Sequence, residues 1–198
     1  MDEVIKHYDK LIEENNDPVF DSPMLKEYMD GWDGQLFIDE MRLDKSKSVL
    51  EIGCGTGRLA VRVCPLVRSF TGVDISPKTV ERAKENLNAF SANVILGDFM
   101  TLEFKNSYDV IYSSLTFMHV IDKKSAIKKA YSILKEGGIF ALSVDLSQNT
   151  VLDYGSRKIA LYPNNYDEIY KDFINCGFTI LKAWKTDRAG VIIAQRQE

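Results

Sequence analysis

From residue 48 onward, short apolar runs alternate with stretches whose apolar residues recur every three or four positions. SVLEIG, SFTGVD, NVILGD, YDVIYSS and GIFALSVD read as strands, while the segment after Gly57, KTVERAKENLNAF, AIKKAYSILKE and YDEIYKDFINCG carry the helical period. Strands alternating with helices of about 10–15 residues imply βαβ units, hence a mostly parallel, doubly wound α/β sheet with helices on both faces. The last two apolar runs, FTILKAW and GVIIAQR, leave no room for a crossover helix. They predict an antiparallel hairpin at one edge, since a parallel pair needs a dozen or more connecting residues.

Turn chemistry marks the boundaries. Ser76-Pro77 places a cap residue before a proline at the first helical position, and Gly137-Gly138 and Gly177 are expected to end helices. The first 48 residues differ in pattern: IKHYDKLIEENND and MLKEYMDGWDGQLFIDEMRL are amphipathic and aromatic, broken by Asp17-Pro18 and Ser22-Pro23. They predict helices lying over the ligand edge of the sheet. Residues 1–46 are thus expected to be a helical cover belonging to the same domain as residues 47–198.

Composition narrows the class. With 198 residues, 45% hydrophobic and 27% charged, one globular domain is expected. The net charge of −4 disfavours a nucleic-acid partner held through phosphates. No run approaches the roughly 18 apolar residues of a membrane span, and the first residues lack a basic start followed by an apolar segment, so a cytoplasmic protein is expected. Three scattered cysteines, Cys54, Cys64 and Cys176, form no metal-ligand pattern, so a reducing compartment and no metal are expected.

The candidate chemistry begins at VLEIGCGTGRLA. A Gly-rich turn between strand and helix lets backbone approach a ligand and offers free N–H groups to an anion. The dinucleotide pattern G-x-G-x-x-G fails in the register starting at Gly53, because position 58 is Arg. It survives from Gly55 only in the relaxed form that accepts Ala60. Asp74 closes TGVD about 20 residues later, where an acid can accept from both ribose hydroxyls. Asp98-Phe99 follows NVILG, and YDVIYSSLTFMHV then carries Ser113 and His119 toward the same rim.

In these residues the chain resembles a class I S-adenosylmethionine-dependent methyltransferase, over roughly residues 47–196. The resemblance implies a Rossmann-like sheet and a loop of Gly53, Cys54, Gly55 and Gly57 passing beneath the cofactor's amino-acid portion, with Glu51 fixing that end. It assigns Asp74 and Ile75 to the ribose, Asp98 and Phe99 to the adenine, Ser113 to the cofactor rim, and Tyr8 to closure over the cofactor. SILKEGGIFALSV matches the family's helix, Gly-Gly turn and fifth strand. His119 is the candidate general base, with a rim histidine as the competing reading, and Tyr28, Trp32, Phe117 and Met118 are candidate substrate-lining residues that could equally form core. Asp109 reads as structural.

The implied reaction is an in-line methyl transfer from S-adenosylmethionine, giving S-adenosylhomocysteine, in which the protein positions a nucleophile and excludes water. The Asn-Pro-Pro-Tyr motif of amino-methylating DNA enzymes is absent, and neither Cys64-Pro65 nor Cys176 suits cytosine methylation. A small-molecule acceptor is expected, and the aromatic N-terminus suggests an apolar or aromatic one. Two alternatives stay open: a nicotinamide-dependent oxidoreductase, and a non-catalytic S-adenosylmethionine-binding regulator.

Overall fold

The computed structural model describes residues 2–197. In chain order, helices α1 (Asp2–Glu13), α2 (Pro23–Asp33) and α3 (Gln35–Glu40) precede strand β1 (Ser48–Ile52). There follow α4 (Ala60–Val63), β2 (Ser69–Asp74), α5 (Pro77–Asn86), β3 (Ala92–Leu96), β4 (Tyr108–Ser114), α6 (Lys123–Ile133) and β5 (Leu134–Asp145). The chain then forms β6 (Val151–Asp153), β7 (Lys158–Ala160), α7 (Tyr166–Asn175), β8 (Phe178–Lys185) and β9 (Ala189–Arg196).

Seven strands form one sheet in the order β3-β2-β1-β4-β5-β9-β8. The first five are mutually parallel, while β9 runs antiparallel to both β5 and β8, as the short connection between the last two runs requires. Side-chain alternation along the central strands explains their continuous apolar runs. Val49, Val110 and Tyr112 enter one core with Phe37, Met41 and Phe70, whereas Leu50, Ile111 and Phe140 enter the other with Phe173 and Phe178.

Two local expectations need correction, and one hairpin is new. The helix expected to run to Gly137-Gly138 ends at Ile133, and β5 starts at Leu134, whose buried side chain joins the core. Gly137, at φ +71°, then turns within a bulge where the pairing with β4 shifts register. The helix after Gly57 is only four residues long, because Pro65 cannot continue its hydrogen-bond ladder. The β6–β7 hairpin around Gly155 was not expected, since its strands are short and largely exposed.

The N-terminal helices lie across the strand ends. Asp9 of α1 accepts from Ser76 Oγ (2.7 Å) and from the Lys78 backbone N–H (3.0 Å), so α1 caps the start of α5. Glu14 makes a two-pronged pair with Arg157 of the β6–β7 hairpin (2.7 and 2.8 Å). At the other side, Trp32 of α2 donates Nε1–H to Asp145 at the end of β5 (2.8 Å), and Ser143 Oγ donates to the Trp32 carbonyl (2.6 Å). Among the described residues, no helix is long and apolar enough to cross a membrane.

Candidate functional site

A cavity of about 290 Å³ opens at the carboxyl ends of β1, β2 and β4 and the loop after β3, roofed by Val4, Tyr8, Pro18 and Met29. Doubly wound sheets bind ligands at this edge, where neighbouring connections leave in opposite directions. The loop after β1 forms its floor. Gly53 has φ +71°, and a Cβ there would overlap the Thr116 side chain, so glycine is required by packing. Gly55, at φ +55°, would place a Cβ where nothing lies within 4 Å, so this side of the loop is open, while its N–H is engaged by Asp74.

Three carboxylates meet the cavity from three successive strand ends. Glu51 on β1 is 3% exposed and accepts from the Tyr112 hydroxyl (2.8 Å). Its burial pushes the carboxyl up to about 8, with Tyr112 and Arg58 opposing that rise. Asp74 at the end of β2 accepts from the Gly55 N–H (3.0 Å) and the Ser76 N–H (3.0 Å), one on each oxygen, which leaves further lone pairs for a ligand. Burial raises its carboxyl above the ordinary range, against those backbone hydrogen bonds. Asp98 accepts from the Met100 N–H (2.8 Å), and Phe99 beside it presents its ring to the same wall.

At the mouth, a hydrogen bond of 2.9 Å joins the Tyr8 hydroxyl to His119 Nε2 across the chain. Burial, assisted by nearby His7, pulls the His119 imidazole down to about 4, while burial and Asp74 push the Tyr8 phenol well up. Both groups are therefore neutral at pH 7. His7 stacks edge-on between Tyr8 (5.1 Å) and Tyr154 (4.6 Å), and the Nδ1 atoms of His7 and His119 are buried without partners.

Of the residues expected at the site, Tyr8, Glu51, Gly53, Cys54, Gly55, Asp74, Ile75, Asp98, Phe99, Phe117 and His119 line this cavity. Ser113 does not, because its Oγ is wholly buried and donates to the Ile52 carbonyl (2.9 Å), and its neighbour Ser114 faces the cavity instead. Gly57 lies off the wall against Leu87. Tyr28 and Trp32 also lie off it, packing on Arg188, whose guanidinium sits 4.0 and 5.0 Å from their rings. Met118 lies off it too, its carbonyl accepting from the Tyr162 N–H. Phe117 is 1% exposed and belongs to the core as much as to the cavity. Asp109 holds the start of β1 through Ser48 and pairs with Lys135, as a structural residue would.

Sequence reasoning missed Asp33, Arg58, Ser114 and Thr116. Arg58 directly follows the glycine loop and was visible there, but Asp33 is brought in only by the docking of α2. Its side chain is fully buried and receives both Arg58 terminal nitrogens and the Ser114 hydroxyl.

The methyltransferase-domain family matches residues 43–176, more than half of the chain. The chain belongs to that family, the class I S-adenosylmethionine-dependent methyltransferases. Over 125 residues it is 30% identical to a malonyl-(acyl-carrier protein) O-methyltransferase of Priestia megaterium, the match covering 60% of this chain and 46% of that protein. The chain spans about half the length of the curated relatives it matches, or less. Its fold is similar to an S-adenosylmethionine-dependent methyltransferase of Mesorhizobium loti, with a TM-score of 0.72 at 16% identity, covering 83% of this chain and 97% of that one. It is also similar to magnesium protoporphyrin IX methyltransferase of Synechocystis, a structure with the cofactor bound, with a TM-score of 0.65 at 18% identity, covering 82% and 75% of the two chains.

Proposed function

We propose that this protein transfers the methyl group of S-adenosylmethionine to a small, largely apolar acceptor. One observation carries the reading: Glu51, Asp74 and Asp98 meet a single cavity from three successive strand ends, above a loop that is open on its Gly55 side. A zwitterionic amino acid joined to a nucleoside fits that order of groups. A pyrophosphate fits it poorly, because acidic side chains, and not basic ones, stand at all three strand ends.

Bound there, S-adenosylmethionine supplies an electrophilic methyl on its sulfur. The protein's own groups bind and exclude water. Glu51 takes the amino-acid end beside the loop of Gly53, Cys54 and Gly55. Asp74, with Ile75, accepts from the ribose hydroxyls through its remaining lone pairs, and Asp98 accepts from the adenine amino group while Phe99 packs on the ring. Leu115, Phe117 and Val120 supply the apolar wall beside the reacting end, a setting in which a nucleophile held in line is not diluted by water.

His119 was the candidate base. With its imidazole pulled down to about 4 and Nε2 engaged by Tyr8, we assign it instead to holding Tyr8 across the mouth. Residues 1–46 then serve as a cover whose opening admits ligands, and not as a separate functional unit.

The apolar character of the roof, the net charge of −4 and the likeness to an enzyme named for a malonyl-carrier substrate support a small acceptor over nucleic acid. Calorimetric titration with S-adenosylmethionine, S-adenosylhomocysteine and NADH tests the cofactor reading: the first two are expected to bind, and binding of NADH alone would overturn it. Trapping of labelled methyl on a panel of small acids, amines and phenols then separates an enzyme from a cofactor-binding regulator.

A further inference from the structure

A second cavity, of about 640 Å³, lies at the opposite edge of the sheet, across the amino ends of β1, β2, β3 and β4. Ser48 lines it and Ile52 lines the first cavity, so the length of β1 separates the two, roughly 15 Å at the rise of an extended strand. Methyl transfer does not reach across that distance, which leaves this cavity outside the chemistry at the other edge. Its volume lies within the range of small-molecule sites.

The chain carries a net charge of −4, yet among the described residues no Asp or Glu stands on this wall, while Arg68 and Lys135 do. Lys135 is engaged by Asp109 (2.8 Å), a residue off the wall. Arg68 is exposed, and its guanidinium makes no hydrogen bond or ion pair among the described residues. Around it the wall carries the hydroxyl side chains of Ser69, Thr71, Ser91 and Ser107 and the amides of Asn93 and Asn106. None of these six side chains has a hydrogen-bond partner among the described residues. A lone surface arginine implies no ligand; a concave wall without acids, on which six neutral polar groups accompany it unpartnered, does.

We propose that this cavity binds a phosphorylated sugar or polyol, with Arg68 taking the phosphate and the hydroxyl and amide side chains taking the sugar hydroxyls. The guanidinium fork matches a phosphate, whose three terminal oxygens can use more of the surrounding donors than the two of a carboxylate. Hydroxyl and amide side chains both donate and accept, as sugar hydroxyls require, whereas a bare anion uses donors alone. A nucleic-acid backbone fits less well, since it calls for several free cations and only Arg68 is free here. The proposal does not depend on the methyltransferase reading.

The test follows backbone amide shifts of the isotope-labelled full chain on titration with ribose 5-phosphate, inorganic phosphate and ribose at constant ionic strength. Ribose 5-phosphate is expected to give saturable shifts at Ser69, Ser91 and Ser107 and to bind more tightly than either of its parts. Arg68→Gln, at an exposed position with thermal melts to check folding, should weaken it roughly tenfold or more, the worth of a hydrogen bond to a charged group. Lys171→Gln, which removes one charge from an exposed position on α7 off this wall, should leave the affinity unchanged. Equal affinity for inorganic phosphate would overturn the sugar assignment and leave a bare-anion site. No saturable shift with any probe, shifts confined to other surfaces, or equal weakening by Lys171→Gln would overturn the site itself.

Discussion

Glu51→Gln should make the protein more stable and a poorer cofactor binder at once. Glu51 is buried at the end of β1, and its carboxyl is pushed up to about 8 from an ordinary 4.5. A carboxyl whose folded-state value is raised releases its proton more readily in the unfolded chain. Its contribution is therefore fully present below pH 4.5 and is lost as pH rises toward 8. At pH 7 the accumulated cost is about 3 kcal/mol, taking roughly 1.4 kcal/mol per unit over the interval. Glutamine does not ionise and can still accept from the Tyr112 hydroxyl, so the variant escapes this cost.

Ligand binding should respond in the opposite sense. A ligand ammonium beside Glu51 favours the carboxylate, so binding at pH 7 should expel close to one proton. Affinity should climb by up to about tenfold per unit between pH 6 and 8 and flatten above. Chemical denaturation from pH 5 to 9 measures the first effect. Calorimetry of S-adenosylhomocysteine in buffers of differing ionisation enthalpy measures the second. The reasoning is refuted if Glu51→Gln and the unaltered protein show parallel stability across that range, or if binding expels no proton.

Asp74→Ala should weaken S-adenosylhomocysteine binding by roughly 10- to 100-fold, the worth of hydrogen bonds to a charged group, and calorimetry showing unchanged affinity would remove the ribose assignment. Gly53→Ala should cost about 1–3 kcal/mol in denaturation experiments, because the position combines φ +71° with overlap of Thr116. Thr116→Ala in the same chain should recover the overlap but not the backbone strain. His119, pulled down to about 4 from 6.5, stabilises the fold fully above pH 6.5 and loses that contribution as pH falls toward 4. His119→Gln should therefore flatten the acid limb of a stability-against-pH profile by about 3 kcal/mol, and an unchanged limb would show that this imidazole does not titrate with unfolding.

Much of the site was legible because it is local. The loop from Gly53 to Gly57, Asp74 and Asp98 each follow a strand, and parallel strands with helical crossovers bring successive strand ends to one edge whatever fills the core. The hairpin of β8 and β9 was legible for the same reason, since three residues between strands permit only an antiparallel return. Side-chain direction at strand ends was not. Ser113 and Ser114 are adjacent and identical in type, and only the pleat decides that the second meets the cavity while the first is sealed against Ile52.

The amino-acid sequence by itself determined the doubly wound sheet, its antiparallel hairpin and the three acidic strand ends, because period, turn chemistry and crossover length act over a few neighbouring residues. Tertiary structure alone decided what the N-terminal helices contribute. Nothing in YMDGWDG distinguishes Asp33 from Asp30, yet the docked helix sends Asp33 to Arg58 and Ser114 and leaves Asp30 on an exposed pair with Arg62. The same docking turns Trp32 and Tyr28 toward Arg188, and the docking of α1 brings Tyr8 onto His119, 111 residues away. Which face of an amphipathic helix meets which strand end is set by packing among distant segments, and one-dimensional spacing carries no record of it.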